Sequence, residues 1–408
     1  MIQDIGGGIT APQGFRAAGV ACGIKRRSAT AATAPLDLAL IVTEGPVSAA
    51  AVFTTNKAVA APVIVSREHL ARSGGRAAAI VVNAGCANAC TGEAGLAVAH
   101  QMAEAAAAAA RCAPHEVLVA STGVIGMPLS IEKVRAGVAD AAAALSTSGS
   151  DNAMRAIMTT DPFPKGKAVS VTTADGRTFA VGGICKGSGM IEPRMATMLG
   201  FLTTDAKVAP AVLQGALRRV ADETFNAITV DGECSTNDCV FLLASGASGV
   251  TIERDDDPAL LAGLRAVSEF LAREIVRGGE GATKLVTVTI TGAATHEDAW
   301  LAARTIANSP LVKTAIHGGD PNWGRLVAAA GRSGAEFVLD RATVAVGPVQ
   351  VFVSGVPHDE RAGEAAAVMQ QKELTVSVDL GTGGGHSATM WTCDFSAEYV
   401  RINAEYRT

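Results

Sequence analysis

Apolar positions along this chain fall into two rhythms. Residues 36–43 (LDLALIVT), 48–55 (SAAAVFTT), 63–66 (VIVS), 76–83 (RAAAIVVN) and 284–291 (KLVTVTIT) are short runs rich in valine, isoleucine and small residues, the composition of strands. The segment 18–24 (AGVACGI) is also strand-like. Residues 168–173 and 177–183, split by Asp175-Gly176, read as a hairpin. The second rhythm is helical. Leu260, Leu261, Leu264, Val267, Phe270, Leu271 and Ile275 mark one face of a helix over 258–277, which stops at Gly278-Gly279-Glu280-Gly281. Alanine-rich 96–111 predicts another helix, and shorter ones are expected over 130–144, 151–158, 209–225 and 299–308. Asp320-Pro321-Asn322 opens a further helix to about residue 332, among strands near 342–346, 349–353 and 374–379. The polar, aromatic tail 396–408 is expected to be disordered or tied to a sheet edge.

Mixed strands and helices over 408 residues give an α/β chain of more than one unit. Hydrophobic residues make up 49% and charged residues 18%, which excludes a disordered chain. Net charge is −5 without a basic stripe, so nucleic-acid binding is not expected. The alanine-rich runs are too short to span a bilayer. The opening stretch has no basic segment followed by an apolar one, so no signal peptide is read. Eight cysteines contain no CxxC pair and do not cluster with histidines. They read as reduced, mostly buried thiols of a cytoplasmic protein, with no metal site.

The chemistry concentrates in residues 186–205, KGSGMIEPRMATMLGFLTTD, centred on Thr197. A threonine hydroxyl becomes a nucleophile only with an adjacent base and donors for the developing oxyanion. Chain cleavage before the threonine would supply the base, an α-amino group whose reference pKa is about 7.7–8. An ordinary buried threonine bonded to its own backbone is the bland alternative. The strand at 117–120 feeds Ser121-Thr122-Gly123, a glycine turn where backbone N–H groups can point into a cleft.

Separated blocks then resemble the ornithine acetyltransferase family of arginine biosynthesis. They are NAGCANACTG (83–92), STGVIG (121–126), MTTD (158–161), KGSGMIEPRMATMLGF (186–201), STND (235–238), GGEGATK (278–284), SPLVKTAIHGGDPNWGR (309–325) and RINAEY (401–406). The loop DGECSTNDC departs from the family pattern at Glu233 and Cys234. The resemblance implies an α-β-β-α sandwich of the self-processing N-terminal-nucleophile type. Its main domain would cover 1–284, and a smaller α+β unit over 285–408 would return its tail to the active site.

By the same resemblance the chain cuts itself between Ala196 and Thr197, giving fragments 1–196 and 197–408, two copies of each in the assembly. Thr197 would carry the acyl group, Thr122 and Gly123 would form the oxyanion hole, and Thr160, Lys186, Glu280, Asn403 and Thr408 would bind substrate. Lys186 suits a carboxylate and Glu280 an ammonium group. Thr159, beside Thr160, is an alternative at that position. The expected reaction moves acetyl from N2-acetylornithine to glutamate without a cofactor. Acetyl-CoA is a second acetyl source in bifunctional members, which no residue here decides. Two rivals remain: an N-terminal-threonine amidase or aminopeptidase, and a non-catalytic nucleotide-binding protein. The second lacks any GxxxxGK[ST] or GxGxxG between a strand and a helix.

Overall fold

The computed structural model describes residues 1–26, 33–192 and 198–405. Ala196, Thr197 and Thr408 lie outside the described residues. The chain divides into two units, Met1–Asn226 with Glu233–Ile275, and Ala227–Gly232 with Val276–Arg407. Each unit mixes helices and strands, as the sequence leads one to expect.

In the first unit, nine strands form one mixed sheet. From one edge they run Ile2–Ile5, Lys165–Thr172, Thr178–Lys186, Leu199–Thr204, Cys239–Ala244, Leu38–Phe53, Arg76–Cys86 and Val117–Val124, and Arg16–Val20 pairs with Leu38–Phe53. The two runs read at 36–43 and 48–55 are one strand of 16 residues, with a register shift between Val42 and Val47. Its first half pairs with Arg16–Val20 and its second half with Cys239–Ala244. Side chains alternate between faces because strand periodicity is two. Leu38, Leu40 and Val42 pack with Val81, Val119 and the helices Ala61–Arg72, Gly92–Ala110 and Ile131–Ala143. Ala39 and Ile41 pack on the other face with Ile80, Phe201, Phe241 and the helix Ser150–Ile157.

The run 63–66, expected as a strand, lies in the helix Ala61–Arg72. Pro62 occupies its first turn, where a missing N–H costs nothing. The Ser66 hydroxyl donates to Val119 O at 2.7 Å and accepts from Val119 N at 2.8 Å, and His69 Nδ1 meets Val117 O at 2.9 Å. The helix therefore covers the exposed edge of the Val117–Val124 strand and satisfies its backbone groups. That benefit outweighs the β-preference of Val63, Ile64 and Val65.

The second unit carries a six-stranded sheet ordered Val356–Pro357, Val349–Val353, Thr343–Val346, Glu373–Asp379, Leu285–Ala293 and His386–Cys393. Val286, Val288, Ile290, Val376 and Val378 join Ile306, Ile316 and Leu326 in its core. Those last three come from the helices His296–Ala307, Pro310–Gly318 and Trp323–Gly331. The side chains of Ser309 and Asn322 cap the second and third of these helices. The tail, expected to be disordered or at a sheet edge, contains the helix Ala397–Glu405. All eight cysteines are free thiols. No helix among the described residues is long and apolar enough to cross a membrane.

Candidate active site

The Thr122-Gly123 turn ends the Val117–Val124 strand, beside the parallel Arg76–Cys86 strand, with Ala84 opposite Thr122 and Gly85 opposite Gly123. Thr122 is buried. Gly123 has φ of 126°, and a Cβ there would come within 2.3 Å of the Gly85 carbonyl carbon, so only glycine fits. Side-chain amides hold the turn rigid. Ser121 Oγ donates to Asn83 Oδ1 at 2.6 Å, and Asn237 Nδ2 donates to Ser121 O at 2.9 Å and to Ala87 O at 2.6 Å.

Lys186 closes the Thr178–Lys186 strand opposite Leu199 and is buried. Close by lies a carboxylate that the sequence reading quoted in MTTD without assigning. Asp161 forms a fully buried ion pair with Lys165 at 2.6 Å, and both side chains have 0% exposure. It also accepts from Gly187 N at 2.7 Å and Thr159 N at 3.0 Å. Burial pushes the Asp161 carboxyl up, but Lys165 and Lys186 outweigh it and bring the value down to about 2. Thr159 and Thr160 are both half-buried.

Lys25 belongs to the same group. Its Nζ donates to Leu36 O at 2.5 Å and to Ala156 O at 3.3 Å. Burial lowers its pKa to about 8, against the opposing pull of Asp37 and Asp161. A Cβ on Gly85 would lie 3.0 Å from Lys25 Cγ, so this lysine passes beneath the Gly85–Gly123 pair. No motif signalled it, because Lys25 stands in a loop without periodicity.

Adjacent residues of STND tie these parts together. Asn237 pins the turn at Ser121, while Asp238 senses the charge of Lys186. Asp238 is 3% exposed, and burial pushes its carboxyl well above the usual carboxylate range.

In the second unit, Glu280 and Asn403 meet across 123 positions of sequence, Asn403 Nδ2 donating to Glu280 Oε2 at 2.9 Å. The tail clamps the loop that carries Glu280. Asp394 accepts from Thr283 N at 2.7 Å and Lys284 N at 2.9 Å, and Ser396 Oγ donates to Gly281 O at 2.7 Å. Gly281 has φ of 69°, and a Cβ on it would lie 2.5 Å from Tyr399 N. Glu280 is buried at this contact.

The structure thus groups Thr122, Gly123 and Lys186, with Thr160 next to Asp161, in the first unit, and pairs Glu280 with Asn403 in the second. The fold is that of an α/β protein. The chain belongs to the ArgJ family, whose profile matches residues 16–408. It is 48% identical over 399 residues to the Arginine biosynthesis bifunctional protein ArgJ of Chlorobaculum tepidum, covering 97% of this chain and 96% of that one. The protein of the same name from Symbiobacterium thermophilum is 47% identical over 417 residues, with 100% of both chains covered. Among solved structures, the bifunctional protein argJ of Bacillus halodurans is similar over 52% of this chain and 100% of its own, at 43% identity and a TM-score of 0.49. The Mycobacterium tuberculosis ornithine acetyltransferase complexed with ornithine matches 48% of this chain and 100% of its own, at 44% identity and a TM-score of 0.43.

Proposed function

We propose that this protein is a self-cleaving acetyltransferase of arginine biosynthesis, moving acetyl from N2-acetylornithine to glutamate through an acetyl ester on Thr197. The observation that carries the reading is the Glu280–Asn403 hydrogen bond. It joins two residues assigned to substrate binding from motifs far apart in the chain. Membership of the ArgJ family over residues 16–408 supports the same reading.

In the uncut chain, Thr197 Oγ attacks the Ala196 carbonyl carbon, the amide nitrogen leaves as an amine, and water hydrolyses the resulting ester. The products are fragments 1–196 and 197–408, with two copies of each in the assembly. In the mature protein the freed α-amino group takes the Thr197 hydroxyl proton as Oγ attacks the acetyl carbonyl of acetylornithine. The Thr122 hydroxyl and Gly123 N–H stabilise the tetrahedral oxyanion. The proton then passes to the departing amine of ornithine. Glutamate enters the same pocket, and its amine attacks the ester to regenerate Thr197.

Lys186 holds the substrate carboxylate, and Glu280, oriented by Asn403, holds the side-chain ammonium of ornithine. Thr160 and Thr408 are the remaining residues that we assign to substrate binding. The word bifunctional in the relatives' names supports acetyl-CoA as a second acetyl donor. A role in arginine biosynthesis supports a cytoplasmic location, with small molecules and the protein's own fragments as partners.

The test is intact mass under denaturing conditions for wild type and Thr197→Ala, followed by chemical quench after mixing with acetylornithine. Two fragments splitting after Ala196, one full-length variant, and an acetyl group on the fragment beginning at Thr197 are expected. An uncut wild type, or no acetyl on that fragment, would sink the scheme.

A further inference from the structure

Lys25 is a charged group that the reaction scheme leaves without a role, and the fold sets it between two parts of the site. Asp37 builds the loop that presents it: its carboxylate accepts from Cys22 N at 2.6 Å, Ile24 N at 2.6 Å and Lys25 N at 2.9 Å. The Asp37 carbonyl accepts from Ala84 N at 2.9 Å, which ties that loop to the strand Arg76–Cys86 just before Gly85. Gly85 stands opposite Gly123. A Cβ on Gly85 would lie 3.0 Å from Lys25 Cγ and 3.1 Å from Lys25 N, so the lysine packs directly on the glycine that backs the turn. At its far end, the ammonium group donates to Leu36 O at 2.5 Å and to Ala156 O at 3.3 Å. Ala156 lies in the last turn of the helix Ser150–Ile157, where carbonyls lack partners within the helix and the helix dipole favours a cation. Thr159 and Thr160 follow that helix end, and Asp161 pins the other side of the segment by accepting from Gly187 N at 2.7 Å. Thr160 thus stands between two anchors in the chain, and Lys25 supplies one of them.

Resting on the acetyl-transfer reading, we propose that Lys25 is a positioning residue: its stem backs the Gly85–Gly123 pair that sets the oxyanion turn, and its ammonium group holds the end of the helix Ser150–Ile157 so that Thr160 meets the substrate. The charged groups acting on it are Asp37 and Asp161, which favour the ammonium form, and Lys186, which opposes it. Cys22 on the same loop is a neutral thiol, pushed up by burial and by Asp37. Burial outweighs the two carboxylates and brings Lys25 down to about 8. The ammonium form makes charge-assisted hydrogen bonds, roughly twice as strong as those of a neutral amine. The grip on Ala156 therefore weakens as pH rises through about 8, and substrate capture should fall with it.

The test measures kcat and KM for acetylornithine on mature wild type, Lys25→Met and Lys25→Ala from about pH 6.5 to about 9, where kcat/KM reports groups of the free enzyme. Methionine keeps most of the stem and removes the charge, whereas alanine removes both. In the wild type, kcat/KM should fall as pH rises through about 8. Lys25→Met should raise KM about tenfold at neutral pH, keep kcat within about threefold and lose that alkaline fall. Lys25→Ala should show the same KM effect and a further loss of about tenfold in kcat, because the oxyanion turn loses its backing. A purely structural lysine would lower Tm in both variants and leave KM and the alkaline fall unchanged. Those unchanged values in Lys25→Met, or a wild-type kcat/KM that stays level through this window, would overturn the proposal. A Lys25→Ala variant that turns over as fast as Lys25→Met would overturn the part assigned to the stem. If either variant does not fold, Lys25→Arg decides: its guanidinium stays charged across the window, so loss of the alkaline fall supports the proposal and its persistence overturns it. A wild type that forms no acetyl ester on Thr197 would refute the acetyl-transfer reading and this inference with it, whereas a fault in the inference alone appears in an active wild type and its variants.

Discussion

Lys165→Met isolates the buried charge cluster that supports the site. Lys165 and Asp161 are both fully buried, 2.6 Å apart, and methionine keeps most of the lysine stem while removing its charge. Breaking a buried pair by removing one partner costs about 3–5 kcal/mol, because the remaining charge is left uncompensated. Lys186 still acts on Asp161, which places the expectation near about 3 kcal/mol. In a unit of this size each kcal/mol lowers Tm by roughly 2 °C, so the variant should melt about 6 °C below its parent. The measurement belongs in the Thr197→Ala background, where the chain stays whole, by thermal and urea unfolding at pH 7 and pH 3.

The pH dependence has a definite sign. The folded-state value of Asp161, about 2, lies below its unfolded value of about 3.9, so its contribution is fully present above the unfolded value and is lost as pH falls from about 4 towards 2. Losing Lys165 raises the folded value, so the gap between parent and variant should narrow as pH falls through that window. A variant within about 1 kcal/mol of its parent at pH 7, or a gap that widens in acid, would refute the reasoning.

Two further substitutions test the remaining parts of the site. Asn403→Ala should raise KM for acetylornithine about tenfold with little change in kcat or Tm, since it removes one hydrogen bond to a carboxylate from an exposed helix; an unchanged KM would remove Asn403 from substrate binding. Gly123→Ala should fold less stably, because its Cβ would displace the Gly85 backbone, and on the proposed oxyanion-hole role should lose at least about a hundredfold in kcat; near-normal turnover would place the oxyanion hole elsewhere.

The sequence by itself determined the elements whose signal is local. The helix Pro258–Arg277 follows from the spacing of its leucines, the hairpin of Lys165–Thr172 with Thr178–Lys186 from Asp175-Gly176, and the candidate chemistry from motif blocks read in order. Tertiary structure decided what depends on distant partners. Residues 63–66 form a helix because Ser66 and His69 satisfy the edge of a strand about fifty residues on. The tail is helical at Ala397–Glu405, where it clamps the loop carrying Glu280. Lys25, Asp161 and Asp238 gained their significance the same way. Periodicity reports which face of an element is apolar, but the state of a buried charge depends on which groups the fold brings to it, and those come from elsewhere in the chain.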